Sequence, residues 1–433
     1  MQSIAHTPNL EYINTMTHTN RTNSSTGHLK SAITLFFLLL ATVGYTQSKS
    51  WAEQIASMVM KLHSDSLVVK PYVTHGPAEE KIETTLPRGR SSWNYEHAVL
   101  LKGLETLGKQ TNNPIYFNYI KKMMDKYIDA DGNIKTYDLL EYNLDHVTPG
   151  RILLSLYQTT KEEKYKKAAQ LLREQLNWQP RTKEGGFWHK HRYPYQMWLD
   201  GLYMGDLFYA EYAQVFGPPK DFDDIVNQFV WMENHTRDPK TGLLYHAWDE
   251  SKKQPWANPA SGQSSEFWSR AMGWYAIALV DVLDYLPKNH PRKNEVTQIF
   301  IRLATALRKY QDPASGVWYQ VTNKATAPGN YLESSGSSMF VYAFAKGVRM
   351  GYLDKSFREA ATKGFEGIVK NFIVKDDYGL PHLAKSCSGA GLGGNPLRDG
   401  SYEYYIKEPV RTDDLKALGP FMQASIELEL IGK

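Results

Sequence analysis

The sequence predicts an all-α fold, a ring of six helical hairpins closed into an (α/α)6 barrel. Three observations carry that expectation. Beyond residue 48 the apolar residues recur at helical spacing, with almost no alternating strand pattern. The helical segments are of two kinds, one charged and amphipathic, the other apolar and rich in small residues, and they alternate six times. Turns carrying Gly followed by apolar or aromatic residues recur between a charged segment and the next apolar one. Helices apolar on every side belong inside a barrel and amphipathic ones outside it. Six pairs at a period of roughly 50–80 residues indicate a repeat architecture closed on itself. An open helical solenoid is the structural alternative.

Taken in order, the amphipathic segments are 51–67, 115–127, 163–176, 222–233, 293–310 and 356–372. The apolar segments that follow them are 93–107, 147–158, 198–213, 267–286, 335–350 and 415–430. The turns are DADGNIKTYD (129–138), KEGGFWHK (183–190), DPKTGLLYHAW (238–248), DPASGVWYQ (312–320) and DDYGLP (376–381). Such turns form short hairpins over the mouth of a barrel. No linker rich in Pro, Gly or Ser divides the chain, so 48–433 reads as one domain.

Residues 1–47 have a separate identity. Lys30 precedes an apolar run, 31–44, too short for a comfortable membrane span and ending in small residues. It reads as the core of a secretory signal, with a mature chain beginning near Gln47 or Ser48. The polar stretch ahead of it is long for such a signal, which suggests that translation starts at Met16; a signal anchor is the alternative reading. An exported chain of this kind is periplasmic or secreted. The only cysteine is Cys387, so no intrachain disulfide forms and the core must supply the stability.

Composition excludes several classes. Apolar residues at 42% and charged residues at 22% describe a globular chain rather than a disordered one. The net charge of +4 is small and dispersed, with no basic stripe, which argues against nucleic acid. No CxxC or HExxH spacing suggests a zinc site. The 11 Trp and 28 Tyr offer flat apolar rings with polar edges, suited to sugar faces as well as to ordinary cores.

The most informative stretch is YPYQMWLDGLYMGD (193–206), after the basic-aromatic loop FWHKHRYPY. Asp200 sits there beside Trp198, flanked by Leu199 and Leu202, in a setting that disfavours its charged form and suits a general acid. Asp145 opens another apolar run in LDHVTPGR, where a helix cap is the plainer reading. The topology brings both acids to one end of the barrel. His189 and Lys190 lie in the third loop at that end, and His246 lies in the fourth. Arg270 lies between Trp268 and Trp274, an arrangement that suits either an acidic ligand or a structural cation–π clamp. Trp93 and Tyr95 open the first inner helix, as wall or as core. Paired acids, cations and Trp platforms at equivalent hairpin ends fit a sugar bearing a carboxylate.

These residues resemble glycoside hydrolase family 105, the unsaturated rhamnogalacturonyl hydrolases. The resemblance runs from about Trp51 to the C-terminus. It rests on LDHVTPGR, YPYQMWLDGLYMGD, LLYHAWDES followed by PWANPASGQSSEFWSRAMGWY, and GPF (419–421). It implies the (α/α)6 barrel, Asp200 as general acid and base, and Asp145 as partner carboxylate. It further implies a substrate pocket at His189, Lys190, His246, Trp268, Arg270 and Trp274, with Trp93, Tyr95 and Trp198 in its wall. The implied reaction hydrates the C4=C5 double bond of a terminal unsaturated uronate left by a polysaccharide lyase, without metal or organic cofactor. The implied partner is an unsaturated oligosaccharide, from rhamnogalacturonan or from an ulvan-type glucuronyl-rhamnose polymer. A conventional inverting glycosidase and a non-catalytic oligosaccharide-binding protein are the rival readings. The N-terminal extension and the segment GAGLGGNPLRDGSYEYY (389–405) are less informative about the substrate.

Overall fold

The computed structural model describes residues 49–67 and 92–432, and the signal expected over 1–47 lies outside the described residues. The helices run α1 (Trp51–Leu62), α2 (Tyr95–Thr111), α3 (Pro114–Met124), α4 (Gly150–Thr160), α5 (Glu163–Trp178) and α6, which joins Leu199–Gly201, a π-turn Leu202–Asp206 and Leu207–Phe216. They continue as α7 (Asp221–Thr236), α8 (Ser269–Tyr285), α9 (Lys293–Lys309), α10 (Ser334–Arg349), α11 (Phe357–Phe372), a short α12 (Tyr402–Lys407) and α13 (Leu415–Gly432). The odd-numbered α1 to α11 are amphipathic and lie outside. The even-numbered α2 to α10, with α13, form the inner ring, and α8 and α10 are buried on almost every face. Each inner helix packs on the next, and α13 packs on α2 to close the ring. This is the (α/α)6 barrel. Among the described residues no helix is long and apolar enough to cross a membrane.

Closure requires two helices to approach backbone to backbone. A Cβ at Gly419 would lie 2.2 Å from the Val99 carbonyl oxygen, and one at Gly103 would lie 2.9 Å from Gly419 Cα. The two glycines set the spacing of α2 and α13, and their low helix propensity is the cost of that contact.

The inner helices are less purely apolar than the sequence suggests. Arg151 of α4 pairs with Glu211 of α6 and reaches Asp281 of α8 at 3.4 Å. Lys346 of α10 holds Asp281 at 2.7 Å, and Tyr342 donates to the same carboxylate at 2.7 Å. Lys102 of α2 lies 3.8 Å from Glu211, and Arg349 of α10 holds Glu427 of α13 at 2.5 Å. Buried charges are tolerated only when paired. These pairs therefore join all six inner helices into one belt.

The five recurrent turns form as expected. Each places its glycine in the left-handed region, Gly132, Gly185, Gly242, Gly316 and Gly379, with φ of 86°, 110°, 75°, 79° and 77°. Ile128 bridges Ile134, Arg181 bridges Phe187 and Arg237 bridges Leu244, and β3 (Ile373–Lys375) pairs with β4 (Pro381–Leu383) across the last turn. Two further ladders join β1 (Gln196–Trp198) to β2 (Ala247–Asp249) and β5 (Ser386–Cys387) to β6 (Val410–Arg411). Strands of two or three residues are too short to show a period of two, which is why the sequence does not display them.

Helix starts shift for local reasons. The run expected from 93 begins at Tyr95, because the Asn94 side chain caps it by accepting from the Glu96 N–H at 2.9 Å. The run expected from 147 begins at Gly150, after a 3-10 turn over Leu144–His146. Asn143 caps that turn through the Asp145 N–H at 3.1 Å, so the Asp145 carboxylate is not a helix cap.

Gly419→Ala should destabilise the protein by about 1–3 kcal/mol through overpacking against α2, read by denaturant unfolding. Asp206 is 1% exposed and its Oδ1 has no hydrogen-bond partner. Burial pushes its pKa well up, Asp224 adds to the effect and Arg181 opposes it. The folded state therefore holds a proton that the unfolded state releases, and stability falls as pH rises above the unfolded carboxyl value. Asp206→Asn should raise the thermal midpoint at neutral and alkaline pH and change it little at pH 3.

Candidate active site

The mouth is assembled by backbone hydrogen bonds that pass from loop to loop. Leu144 N–H donates to His189 O at 3.1 Å, His189 N–H to Gln196 O at 2.9 Å, and Leu199 N–H to His246 O at 3.0 Å. Asn143 bridges Lys190, and Trp198 pairs with Ala247 in the β1–β2 ladder. The residues beside the two acids touch. A Cβ at Gly201 would meet Leu144 Cδ1 at 3.3 Å and His189 Nδ1 at 3.4 Å. The loop carrying Asp145 thus lies directly against the helix start carrying Asp200.

Each acid has its own cationic or imidazole partners. Asp145 is paired with Lys190 and lies 3.3 Å from His189 Nε2. Burial works to raise its pKa, but Lys190 and His189 outweigh it and hold the carboxyl below its ordinary value. Asp145 is ionised at neutral pH. His189 is pulled down to about 4, chiefly by burial, which Asp145 and Asp200 oppose, so its imidazole is neutral there. Asp200 lies in the first turn of α6, its Oδ2 3.1 Å from His246 Nε2. Those two atoms are close but out of line for a hydrogen bond, and both are buried without another partner. His246 Nδ1 is held by the Tyr405 hydroxyl at 2.7 Å.

Aromatic contacts connect the set. Trp198 stacks on His189 at 4.8 Å and meets His246 edge-on at 5.2 Å. His246 packs on Trp268 at 4.9 Å, and the Arg270 guanidinium lies 5.1 Å from the Trp268 ring. Arg270 donates to Ser335 Oγ at 3.3 Å, while its Nη2 is buried with no hydrogen-bond partner. Tyr95 meets Trp274 edge-on at 6.3 Å, and its hydroxyl is held in the neutral form mainly by burial, with Glu96 and Asp145 adding to it. Trp274 packs on Tyr203 at 4.5 Å, and Tyr203 packs on Arg151, which leads down to the charged belt.

The structure separates these residues by access. Trp93, Trp268, Trp274, Arg270, His189 and His246 are all 3% exposed or less. Asp145, Asp200 and Lys190 keep 15%, 13% and 11% of their side chains open. Trp93 stands apart from the rest, because its indole donates to the His146 carbonyl at 2.7 Å and its ring packs on Tyr127 at 6.0 Å. It braces the turn that carries Asp145. Tyr405 was not singled out from the sequence, since a tyrosine at the end of a glycine-rich segment carries no spacing signal. The Cys387 thiol is buried and pushed up chiefly by burial, which is the wrong direction for a nucleophile.

This mouth on this barrel places the chain among the (α/α)6-barrel glycoside hydrolases. Residues 68–431 match Glycosyl Hydrolase Family 88. The structure is similar to that of a C. acetobutylicum ATCC 824 glycoside hydrolase from family 105, with a TM-score of 0.80 and 45% identity over 88% of this chain and 100% of that one. The chain therefore belongs to glycosyl hydrolase family 88 and, within that likeness, to the family 105 group that its motifs resemble. Among curated relatives, an Agrobacterium fabrum protein is 38% identical over 53% of this chain and all of its own length. The unsaturated rhamnogalacturonyl hydrolase YesR of Bacillus subtilis is 30% identical over 57% of this chain and 68% of its own.

The low value of His189 has a checkable consequence. Its folded pKa lies below the ordinary 6.5, so the unfolded state binds a proton first as pH falls. The associated stability is present above pH 6.5 and is lost progressively towards pH 4. His189→Gln should flatten the loss of unfolding free energy across that window, by up to about 3 kcal/mol.

Proposed function

We propose that the protein removes the terminal 4,5-unsaturated uronate from lyase-generated oligosaccharides by hydrating its C4=C5 bond. The observation that carries this reading is the unequal pair of acids at the mouth. Asp145 is locked to Lys190 and His189, whereas the nearest group to the Asp200 carboxylate is the poorly aligned imidazole of His246. One carboxyl is thus held as an anion, and the proposed mechanism gives the other the role of proton donor. The likeness to a family 105 structure and to an unsaturated rhamnogalacturonyl hydrolase supports the same chemistry.

In this mechanism Asp200 donates its proton to C4, where the enol ether is nucleophilic, and positive charge develops at C5 and the ring oxygen. Water adds at C5 and gives its proton to the Asp200 carboxylate, which restores the acid. The hemiketal opens to a ketone at C5 and leaves a hemiacetal at C1, which expels the neighbouring saccharide. The Asp145 anion stabilises the positive charge and accepts from sugar hydroxyls. Tyr405 orients His246, whose imidazole lies beside the Asp200 carboxylate. Lys190 and Arg270 supply positive charge for the uronate carboxylate, and Tyr95, Trp198, Trp268 and Trp274 frame the ring. Rhamnose from rhamnogalacturonan is the proposed leaving sugar, with the ulvan-type disaccharide as the second substrate to test.

The direct test is a panel of lyase products, followed by loss of the ultraviolet absorbance of the unsaturated uronate. Asp200→Asn should lower kcat by on the order of 10²–10⁴-fold with a smaller change in KM. Full turnover by that variant would overturn the assignment. Cleavage of saturated oligosaccharides, with the absorbance of unsaturated ones unchanged, would favour the inverting glycosidase instead. We further propose that 1–47 directs export to the periplasm or beyond and that 48–433 is the catalytic domain. N-terminal sequencing of the exported protein should begin near Gln47 or Ser48.

A further inference from the structure

A cavity of about 540 Å³ opens beside β1, lined by Arg192, Tyr193, Gln196 and Gln254 on one side and by Gly393 to Pro396 and Arg398 on the other. The hydration chemistry above makes no use of it. Tyr193 is the wall it shares with the mouth, because Tyr193 stacks on Trp198 at 4.9 Å. Gln196 lies on the same strand face as Trp198 and accepts from its indole at 3.0 Å. From Gln196 to Trp198 the strand advances roughly 7 Å, so the cavity lies just beyond the residues around Asp200.

Two guanidinium groups converge on this wall. Arg192 lies 5.0 Å from the Tyr193 ring centroid, and Arg398 lies 5.8 Å from it while donating to the Tyr193 hydroxyl at 2.8 Å. The remaining bonds of Arg398 go to main-chain carbonyls, Gly393 at 2.9 Å and Leu392 at 3.0 Å. Neither arginine forms an ion pair with a carboxylate among the described residues. The backbone is shaped around Arg398, since a Cβ at Gly391 would lie 2.2 Å from its Nη1. Trp256, whose Nε1 is buried without a hydrogen-bond partner, borders Gly393. Two guanidinium groups with no carboxylate in ion-pair contact, Glu408 acting on Arg398 only at longer range, in a cavity also lined by the amides of Gln196, Gln254 and Asn395, match a polar anion.

We propose that this cavity is a second saccharide subsite that takes an anionic group, a carboxylate or a sulfate ester, on the leaving part of the oligosaccharide. The proposal rests on the unsaturated-uronyl hydrolase reading and specifies its substrate class. The segment 389–405 then acts at two points: Tyr405 orients His246, and Arg398 builds the anion subsite.

The test compares unsaturated oligosaccharides whose second or third sugar is neutral, carboxylated or sulfated. The native protein should favour one charged series over the neutral one in kcat/KM, with the gain in KM, and the preferred series identifies the group. Arg192→Gln, at an exposed position, and Arg398→Gln should each reduce that preference about tenfold. A native enzyme indifferent to charge, or variants that keep the preference, would overturn the subsite. Calorimetric binding of saturated charged and neutral oligosaccharides to the native protein separates this result from the chemistry. Arginine-dependent binding of the charged ligand by a protein that turns over no unsaturated substrate would retain the subsite and refute the hydrolase reading.

Discussion

The reactive end of this barrel depends on a run of backbone hydrogen bonds that crosses from loop to loop. Leu144 is tied to His189, His189 to Gln196, and Leu199 to His246. His189, Lys190, Trp198 and His246 stand on that run, and Trp268 packs against it through His246. Loops are the most mobile parts of most folds, and a site built on them needs its own rigidity. Here the short β1–β2 ladder provides it, as does the buried Trp198 that contacts His189, Tyr193 and His246. The charged belt among the inner helices fixes the floor from below, and the glycine contact between α2 and α13 closes the ring.

The same geometry sets different tasks for chemically identical side chains. Asp145 is surrounded by groups that stabilise its charge, and the price of burying that anion is met by Lys190. Asp200 has an imidazole within 3.1 Å that does not point at it. Two carboxyls at one mouth, Asp145 held by Lys190 and Asp200 without such a cation, are what the proposed mechanism uses as its anion and its proton donor. The neutral His189 between them lets the two sites approach without adding a second cation beside Lys190.

Much of this was legible in the sequence. The alternation of amphipathic and apolar segments gave the barrel, because burial on one face or on all faces leaves a periodic trace. The five Gly turns were legible because only a left-handed residue closes them. Asp200, His246, Asp145, His189 and Lys190 could be grouped because they open equivalent hairpins. Other features left no local trace. Tyr405 reaches His246 across 159 positions, Arg398 reaches Tyr193 across 205, and Arg151, Glu211, Asp281 and Lys346 find one another only after the ring closes. Trp93 was read as pocket wall or core, and its indole bond to His146 makes it a brace, a distinction that depends on a backbone carbonyl rather than on residue type.

The central claim is that Asp200 protonates carbon rather than a glycosidic oxygen. Turnover of an unsaturated disaccharide in deuterium oxide, followed by nuclear magnetic resonance, measures this directly. Protonation at C4 predicts one deuterium on C4 of the released 4-deoxy-5-keto-uronate, delivered to a single face, with loss of the C4=C5 signal. Release of the neighbouring sugar with the double bond intact and no deuterium at C4 would contradict it.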